Sequence, residues 1–474
     1  MNLIYSFLSL VVPLFFGVVT SISLIWHYEI YQSTLIGVFL SIGFGIGITS
    51  ILYFVWSLVF SPNAQAYFIV EFTLALSLLM SSYLILRHKP FKSLERAKDY
   101  QSLWITLFIG AFFIFNLIIV LRSFYQLTLN SPNGQYDAYA IWNLRARFIF
   151  RGGENWLETF PNTIGNQHYD YPLLLPGIVA RSWSLVDQAT KIIPAIIAGL
   201  FTFGTAGLLF SSIFTFRTLS QALLATLILI CTPAYIFWGS SQEADIPLSF
   251  YILSTCILLF LHNLFGKDQK AFIFLAGMAA GFALWTKNEG WSLLIAILLT
   301  TLILPDRKTR YKSLLKDGLY FLTGIAPILL VALFFKTQIA PPNDLFTGQS
   351  ITTMLEKIWD ASRYVTILEA LAENSLSFGG WIIPVLISVL TYLFFLRTSI
   401  QPEEKKAIIP LVLILIFILL QYLVIYIITP NPLDWHIQTS FDRLLLQLWP
   451  STIFIIFMIV RTPDRVFMRS NSAN

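Results

Sequence analysis

Residues 407–430 read AIIPLVLILIFILLQYLVIYIITP. No charged side chain interrupts the run. Wound as a helix at about 1.5 Å per residue, it is long enough to cross roughly 30 Å of hydrocarbon. Residues 9–26, SLVVPLFFGVVTSISLIW, have the same character. Neither run alternates apolar and polar residues as the strands of a membrane β-barrel do. The whole chain agrees: 474 residues, 57% hydrophobic and only 12% charged, against roughly a quarter charged in a soluble protein. The expected fold class is therefore all-α, a polytopic membrane protein.

By the length criterion the chain holds about thirteen apolar segments. They lie near 5–26, 33–60, 64–87, 102–124, 188–214, 219–238, 246–265, 271–286, 290–304, 317–336, 376–396, 407–429 and 444–461. Those at 271–286 and 290–304 are short. The net charge of +5 is no nucleic-acid signature. It resides in short loops and so reports topology through the positive-inside rule. The basic stretches 87–98 (RHKPFKSLERAK), 306–316 (DRKTRYKSLLK) and 461–470 (RTPDRVFMRS) are expected in the cytoplasm. Arg217, the GKDQK turn and the EEKK turn fall on the same side. Thirteen crossings satisfy all of these, with the N-terminus outside and the C-terminus inside. No small-residue cleavage signal precedes Trp26, so the first segment is expected to be retained. Cys231 and Cys256 sit in apolar runs and read as small core residues.

The topology leaves the conspicuous polar residues on the outer face. In the loop 125–187, NSPNG is turn chemistry, and a helix follows. Ile141, Leu144 and Phe148 share one face of it, Asn143, Arg147 and Arg151 another, and Gly152-Gly153 ends it. It reads as an interfacial helix whose arginines suit a lipid phosphate or ordinary headgroups. Asp137 stands where an N-cap stands. HYDYPLLLPG then places His168 and Asp170 before two prolines, with Tyr171 held extended. Irregular backbone at membrane depth needs burial or a cavity. His168 and Asp170 would stand at its mouth, or simply fasten a loop as a pair.

SSQEADIP sets Glu243 and Asp245 at an outer turn, Asp245 again fitting a cap. In LWTKNEGW, Lys287 lies in an apolar stretch, where a cation needs a partner such as Glu289 or a phosphate. Glu71 lies within a segment, about two turns from its outer end, with no role legible in the sequence. Residues 350–374 have the period of an interfacial or lid helix. LDWHIQTSFDRLLLQLWP brings Asp434, His436, Asp442 and Arg443 to the start of the last segment, Arg443 suited to clamp a phosphate or to pair with Asp442 or another loop acid. Metal-ligand spacings, a P-loop and a GxSxG elbow are absent from the sequence. No cofactor is firmly implied; a divalent metal stays open, with no motif to support it.

YDAYAIWNLRARFIFRGGENW, HYDYPLLLP, ADIPLSFY, WTKNEGW and DRLLLQLWP, in that order on one face, resemble the GT-C membrane glycosyltransferases. The branch it resembles includes the protein O-mannosyltransferases and aminoarabinose transferases. The resemblance covers residues 102–461, with the segments in 1–101 as an addition and 462–474 as a cytoplasmic tail. It implies a polyprenyl-phosphate-linked sugar as donor and a glycan, lipid or protein hydroxyl as acceptor. It implies Asp137 as catalytic base. Arg147, His168, Asp170, Tyr171, Glu243, Asp245, Lys287, Glu289, His436 and Arg443 are the candidate substrate-binding residues. PLLLPGIVA would line a groove for the lipid tail. Many relatives carry a second acid directly after the first; here that place is Ala138, so an acid-pair or metal-assisted role there lacks its partner. Asp245 or Asp170 is the substitute. A bacterial inner (plasma) membrane is the expected location, with the site on its outer face. The competing readings are a transporter or flippase of lipid-linked sugars, a glycan polymerase or ligase, and a non-catalytic subunit.

Overall fold

Where water is absent, every backbone N–H and C=O must be satisfied inside the chain, and long apolar runs meet this demand as helices. The structure is a computed structural model describing residues 2–27, 34–60, 62, 64–86, 103–160, 168–265, 270–304, 311–343, 345, 347–381, 384–396, 398 and 400–460. The basic stretches 87–98 and 306–310, most of the GKDQK turn and the tail 461–474 lie outside the described residues.

The helices in chain order are α1 (Asn2–Leu8), α2 (Val11–His27), α3 (Thr34–Phe60), α4 (Ala64–Leu86), α5 (Leu103–Asn130), α6 (Asn143–Gly152), α7 (Leu174–Val186), α8 (Ile192–Phe216), α9 (Leu219–Ile230) and α10 (Pro233–Ser240). There follow α11 (Asp245–Phe265), α12 (Lys270–Thr286), α13 (Gly290–Ile303), α14 (Tyr311–Phe334), α15 (Ile351–Trp359), α16 (Ala361–Ser377), α17 (Val385–Leu396), α18 (Pro402–Ile428) and α19 (Leu433–Ile459). Two π-helical turns intervene, Ala138–Trp142 before α6 and Phe335–Ile339 after α14. Among the described residues there is no strand, only an isolated bridge between Thr398 and Val460.

Nine of the described helical stretches are long and apolar enough to cross a membrane, and ten if the bent pair α9–α10 is one span. That pair breaks by 65° where Pro233, lacking an N–H, ends one helix and begins the next. The stretches 271–286, 290–304 and 376–396 hold the shorter helices α12, α13 and α17. α11 is the axis of the bundle, with 83% of its apolar window buried, against 17% for α4 and 6% for α5. The outward faces of α4 and α5 are apolar, as a hydrocarbon solvent demands.

One end of the bundle gathers the groups that the charge rule assigns to a single side. Arg217 Nη1 meets Glu404 Oε1 at 2.8 Å, and its Nη2 donates to the Met458 carbonyl at 2.6 Å. The EEKK stretch is not a turn but the first turn of α18, where Gln401 and Glu404 form a capping box. At the other end lie the sequence-predicted site residues. Glu71 does have a role: it pairs with Arg181 of α7, both fully buried, while Tyr67 donates to Glu71 Oε1 at 3.1 Å. This pair fastens the HYDYPLLLP-derived helix to the N-terminal segments.

Candidate functional site

Arg443 is the hub. Its Nε and Nη2 both donate to Asp245 Oδ2, at 3.0 and 2.6 Å. Its Nη1 donates to Asp137 Oδ2 at 2.7 Å, and Nη2 lies 2.9 Å from Glu243 Oε2. The guanidinium lies over the Trp238 ring at 4.7 Å, a cation–π contact. The other oxygen of Asp245 accepts from Lys287 Nζ at 2.9 Å and from Gln447 Nε2 at 2.6 Å. Tyr422 in turn donates to Gln447 Oε1 at 2.7 Å. Lys287 Nζ also reaches Glu289 Oε1 at 2.7 Å. Both oxygens of Asp245 are thus saturated by charged or amide donors, which is how a carboxylate survives burial.

The backbone brings these groups together in identifiable ways. Gly134 has φ +78°, and a Cβ there would meet the Ser241 carbonyl at 2.5 Å. Only glycine lets the loop before Asp137 approach the 240–243 turn so closely. Gln135 N then donates to the Ser241 carbonyl at 3.1 Å, and Asn143 Nδ2 to Gln242 Oε1 at 2.9 Å. Gln242 itself is left-handed, φ +61°. Lys287 stands in a tight turn closed by Gly290 N donating to the Lys287 carbonyl at 2.9 Å.

A second polar centre adjoins the first through Asn288. Asp170 Oδ2 accepts from Asn288 Nδ2 at 2.6 Å, from Asn343 Nδ2 at 2.8 Å and from Lys336 Nζ at 3.2 Å. Lys336 also bonds the Asp170 carbonyl and Asn288 Oδ1. Above it, three rings stack: Trp142 on Tyr171 at 5.3 Å and 7°, and Tyr171 on His168 at 5.0 Å and 11°. Arg145 Nη1 donates to the Tyr171 carbonyl at 3.0 Å, and its other arm binds the His168 carbonyl. His168 holds a left-handed φ of +46°.

Burial, opposed by Arg443 and reinforced by Asp137 and Asp245, pushes the Glu243 carboxyl up to about 8. Its environment thus favours the neutral form more than that of an ordinary carboxyl. For Lys287, burial works toward the neutral amine, but Asp245 and Glu289 outweigh it and hold the ammonium well above its ordinary range. Burial likewise drives the Tyr171 phenol far up.

The sequence-predicted residues divide clearly. Asp137, Glu243, Asp245, Lys287, Glu289 and Arg443 form one network, and Asp170, Tyr171 and His168 flank it. Asp137 is not a helix cap: its side chain caps no N–H and turns to Arg443. Arg443 does not begin a helix, since α19 starts at Leu433, and it pairs with three distant acids instead of Asp442. His168 and Asp170 do not form a pair of their own; Asp170 is taken by Lys336. His436 is outside both centres, with Nδ1 2.9 Å from Thr429 Oγ1 and its ring against Tyr426. Arg147 enters neither network; Arg145, two positions earlier and buried, points inward. The single helix expected over 350–374 is two, broken at Asp360, whose Oδ1 caps α16.

Arg145, Asn288, Lys336, Asn343, Tyr422 and Gln447 went unread in the sequence. A lysine at the outer end of an apolar run and a glutamine inside RLLLQLWP were the available signals. A narrow crevice, with room inside for about one water molecule, runs from Asn143, Gln242 and Glu243 to apolar Leu175, Val179, Ile197 and Ala198. Leu175 and Val179 belong to the PLLLPGIVA stretch expected to line a groove. Among the described residues no group of three His, Cys, Asp or Glu side chains could hold a metal ion. Comparison of the chain with models of known protein families, with characterised proteins and with solved structures gives no match.

Proposed function

We propose that the chain is a GT-C-type integral membrane glycosyltransferase. It moves a sugar from a polyprenyl-phosphate donor to a hydroxyl of a glycan, lipid or protein on the outer face of a bacterial plasma membrane. This reading keeps thirteen crossings, α12, α13 and α17 being the short ones, with the N-terminus outside. One observation carries it: Asp137 and Asp245, 306 and 198 positions from Arg443 in sequence, meet at its guanidinium, with Lys287 on the far oxygen of Asp245.

The chemistry follows from who can exchange partners. Asp245 is 1% exposed and saturated, so it is scaffold; Asp137 is 28% exposed and holds Arg443 by one arm. A donor phosphate takes that arm, and the displaced Asp137 carboxylate is free to accept a proton. The acceptor oxygen attacks the anomeric carbon, Asp137 takes its proton, and the carbon–oxygen bond to phosphate breaks. The electron pair leaves with the lipid phosphate, whose charge Arg443 and Lys287 stabilise in a low-dielectric site. Displacement in one step inverts the anomeric centre.

The test is Asp137→Asn in the purified full chain, assayed with a mixture of polyprenyl-phosphate sugars. Wild type should release lipid phosphate, and the variant should lose about a hundredfold or more in rate while eluting as a single species. Full activity in the variant removes the base from Asp137. A wild type that turns over no donor but carries lipid-linked sugar across vesicles would replace the transferase with a transporter.

A further inference from the structure

The three acids around Arg443 are not alike. Asp245 is fully hydrogen-bonded, and Asp137 is the exposed, exchangeable one. Glu243 is buried, fixed by the left-handed turn at Gln242, and lines the crevice. Its Oε2 lies 2.9 Å from Arg443 Nη2, yet it is out of hydrogen-bond alignment and makes no hydrogen bond. A buried carboxyl oxygen without a bond, beside the cation and on a side chain that lines a crevice, is a group waiting for a ligand atom.

The charge balance says what kind. Arg443 of α19 and Lys287 of the α12–α13 turn face Asp137 of the first loop, Asp245 of α11, Glu289 and Glu243. With all four acids ionised the two cations are outnumbered by two charges, and with Glu243 protonated the excess falls to one, which weakens the repulsion of a further anion. A protonated Glu243 removes one negative charge and supplies an O–H donor at the same point.

We propose that Glu243 is the proton-bearing member of the anion site at Arg443: a phosphate-bearing ligand binds with Glu243 in its acid form, the carboxyl O–H donating to a phosphate oxygen, and ionisation of Glu243 expels the ligand. This rests on the reading of Arg443 as a phosphate site. The raised pKa of Glu243, caused first by burial, puts the change within reach of ordinary buffers.

The experiment is calorimetric titration of the full-length protein in detergent with farnesyl phosphate between pH 7.5 and 9.5, where the ligand is fully ionised. Wild-type Kd should rise by about tenfold per pH unit above the Glu243 transition. Binding heats in two buffers of different ionisation enthalpy should show uptake of up to one proton per ligand, largest at the alkaline end. Glu243→Gln keeps a donor and no titratable proton, so it should bind with a flat pH profile and no proton uptake. Binding by wild type without pH dependence or proton uptake overturns the inference and leaves the phosphate site standing, as does a Glu243→Gln slope equal to wild type. If wild type binds no farnesyl phosphate at pH 7.5, both fall. Should the variant fail to fold, the wild-type proton count alone decides.

Discussion

Asp245→Asn changes one atom and should be among the most damaging substitutions in the protein. Asp245 Oδ1 accepts from Lys287 Nζ and Gln447 Nε2, and Oδ2 accepts twice from Arg443. Asparagine offers one oxygen and one NH2. Whichever way the amide turns, its NH2 faces either an ammonium and an amide donor or a guanidinium. The site loses a buried charge pair and gains donor–donor contacts. Arg443 keeps Asp137, and Lys287 keeps Glu289, so the loss is partial. Breaking a buried pair from one side costs about 3–5 kcal/mol, and that is the expected destabilisation. Adding Lys287→Met removes the stranded ammonium and should return about 1–3 kcal/mol, the coupling usual between groups in contact. The assay is equilibrium unfolding in mixed micelles of rising dodecyl sulfate fraction, read by tryptophan fluorescence. If the double variant is less stable than Asp245→Asn alone by the full cost of Lys287→Met, the two residues do not share one network and the reasoning fails.

The Glu243 carboxyl is held up to about 8 from an ordinary 4.5, so between those values the folded protein keeps a proton the unfolded chain has released. Stability from this group is present below 4.5, falls by about 1.4 kcal/mol per pH unit through the window, and is gone above pH 8; Glu243→Gln should flatten that limb in unfolding midpoints taken from pH 6 to 9. Gly134→Ala forces a left-handed φ on alanine and pushes its Cβ against the Ser241 carbonyl. The expected loss is about 1–3 kcal/mol, and transfer activity measured on the folded fraction should fall because Asp137 moves. Tyr171→Ala removes the middle ring between Trp142 and His168 and the ring 6.0 Å from Lys287 Nζ, whereas Tyr171→Phe keeps both. Transfer rates should drop by about tenfold in the first and stay near wild type in the second; equal losses would shift the role to the phenol.

How much of this was legible in the chain differs by level. Apolar run length fixed the helical membrane architecture, because a bilayer leaves the backbone few other ways to satisfy itself. The charge rule placed Arg217 and the EEKK stretch together, and their ion pair now joins them. Residue chemistry at the turns also pointed to Asp137, Glu243, Asp245, Lys287 and Arg443, since ionisable groups beside apolar runs are costly without a purpose. Partners were not legible. Asp137 could cap a helix as well as bind Arg443, and local spacing cannot separate the two. Arg145 and Arg147 lie on one short helix, and only the packed loop at His168–Tyr171 shows which of them turns inward. The polar first turns of α19 read as loop because their residues are compatible with both, and the helix extends through them once its neighbours bury one face. What the sequence by itself determined was the solvent this protein lives in and the kinds of charge it carries at its turns. Which charge neutralises which was decided only by tertiary structure, because an ion pair is set by distance in space, and bonds spanning 42 to 306 positions leave no local trace.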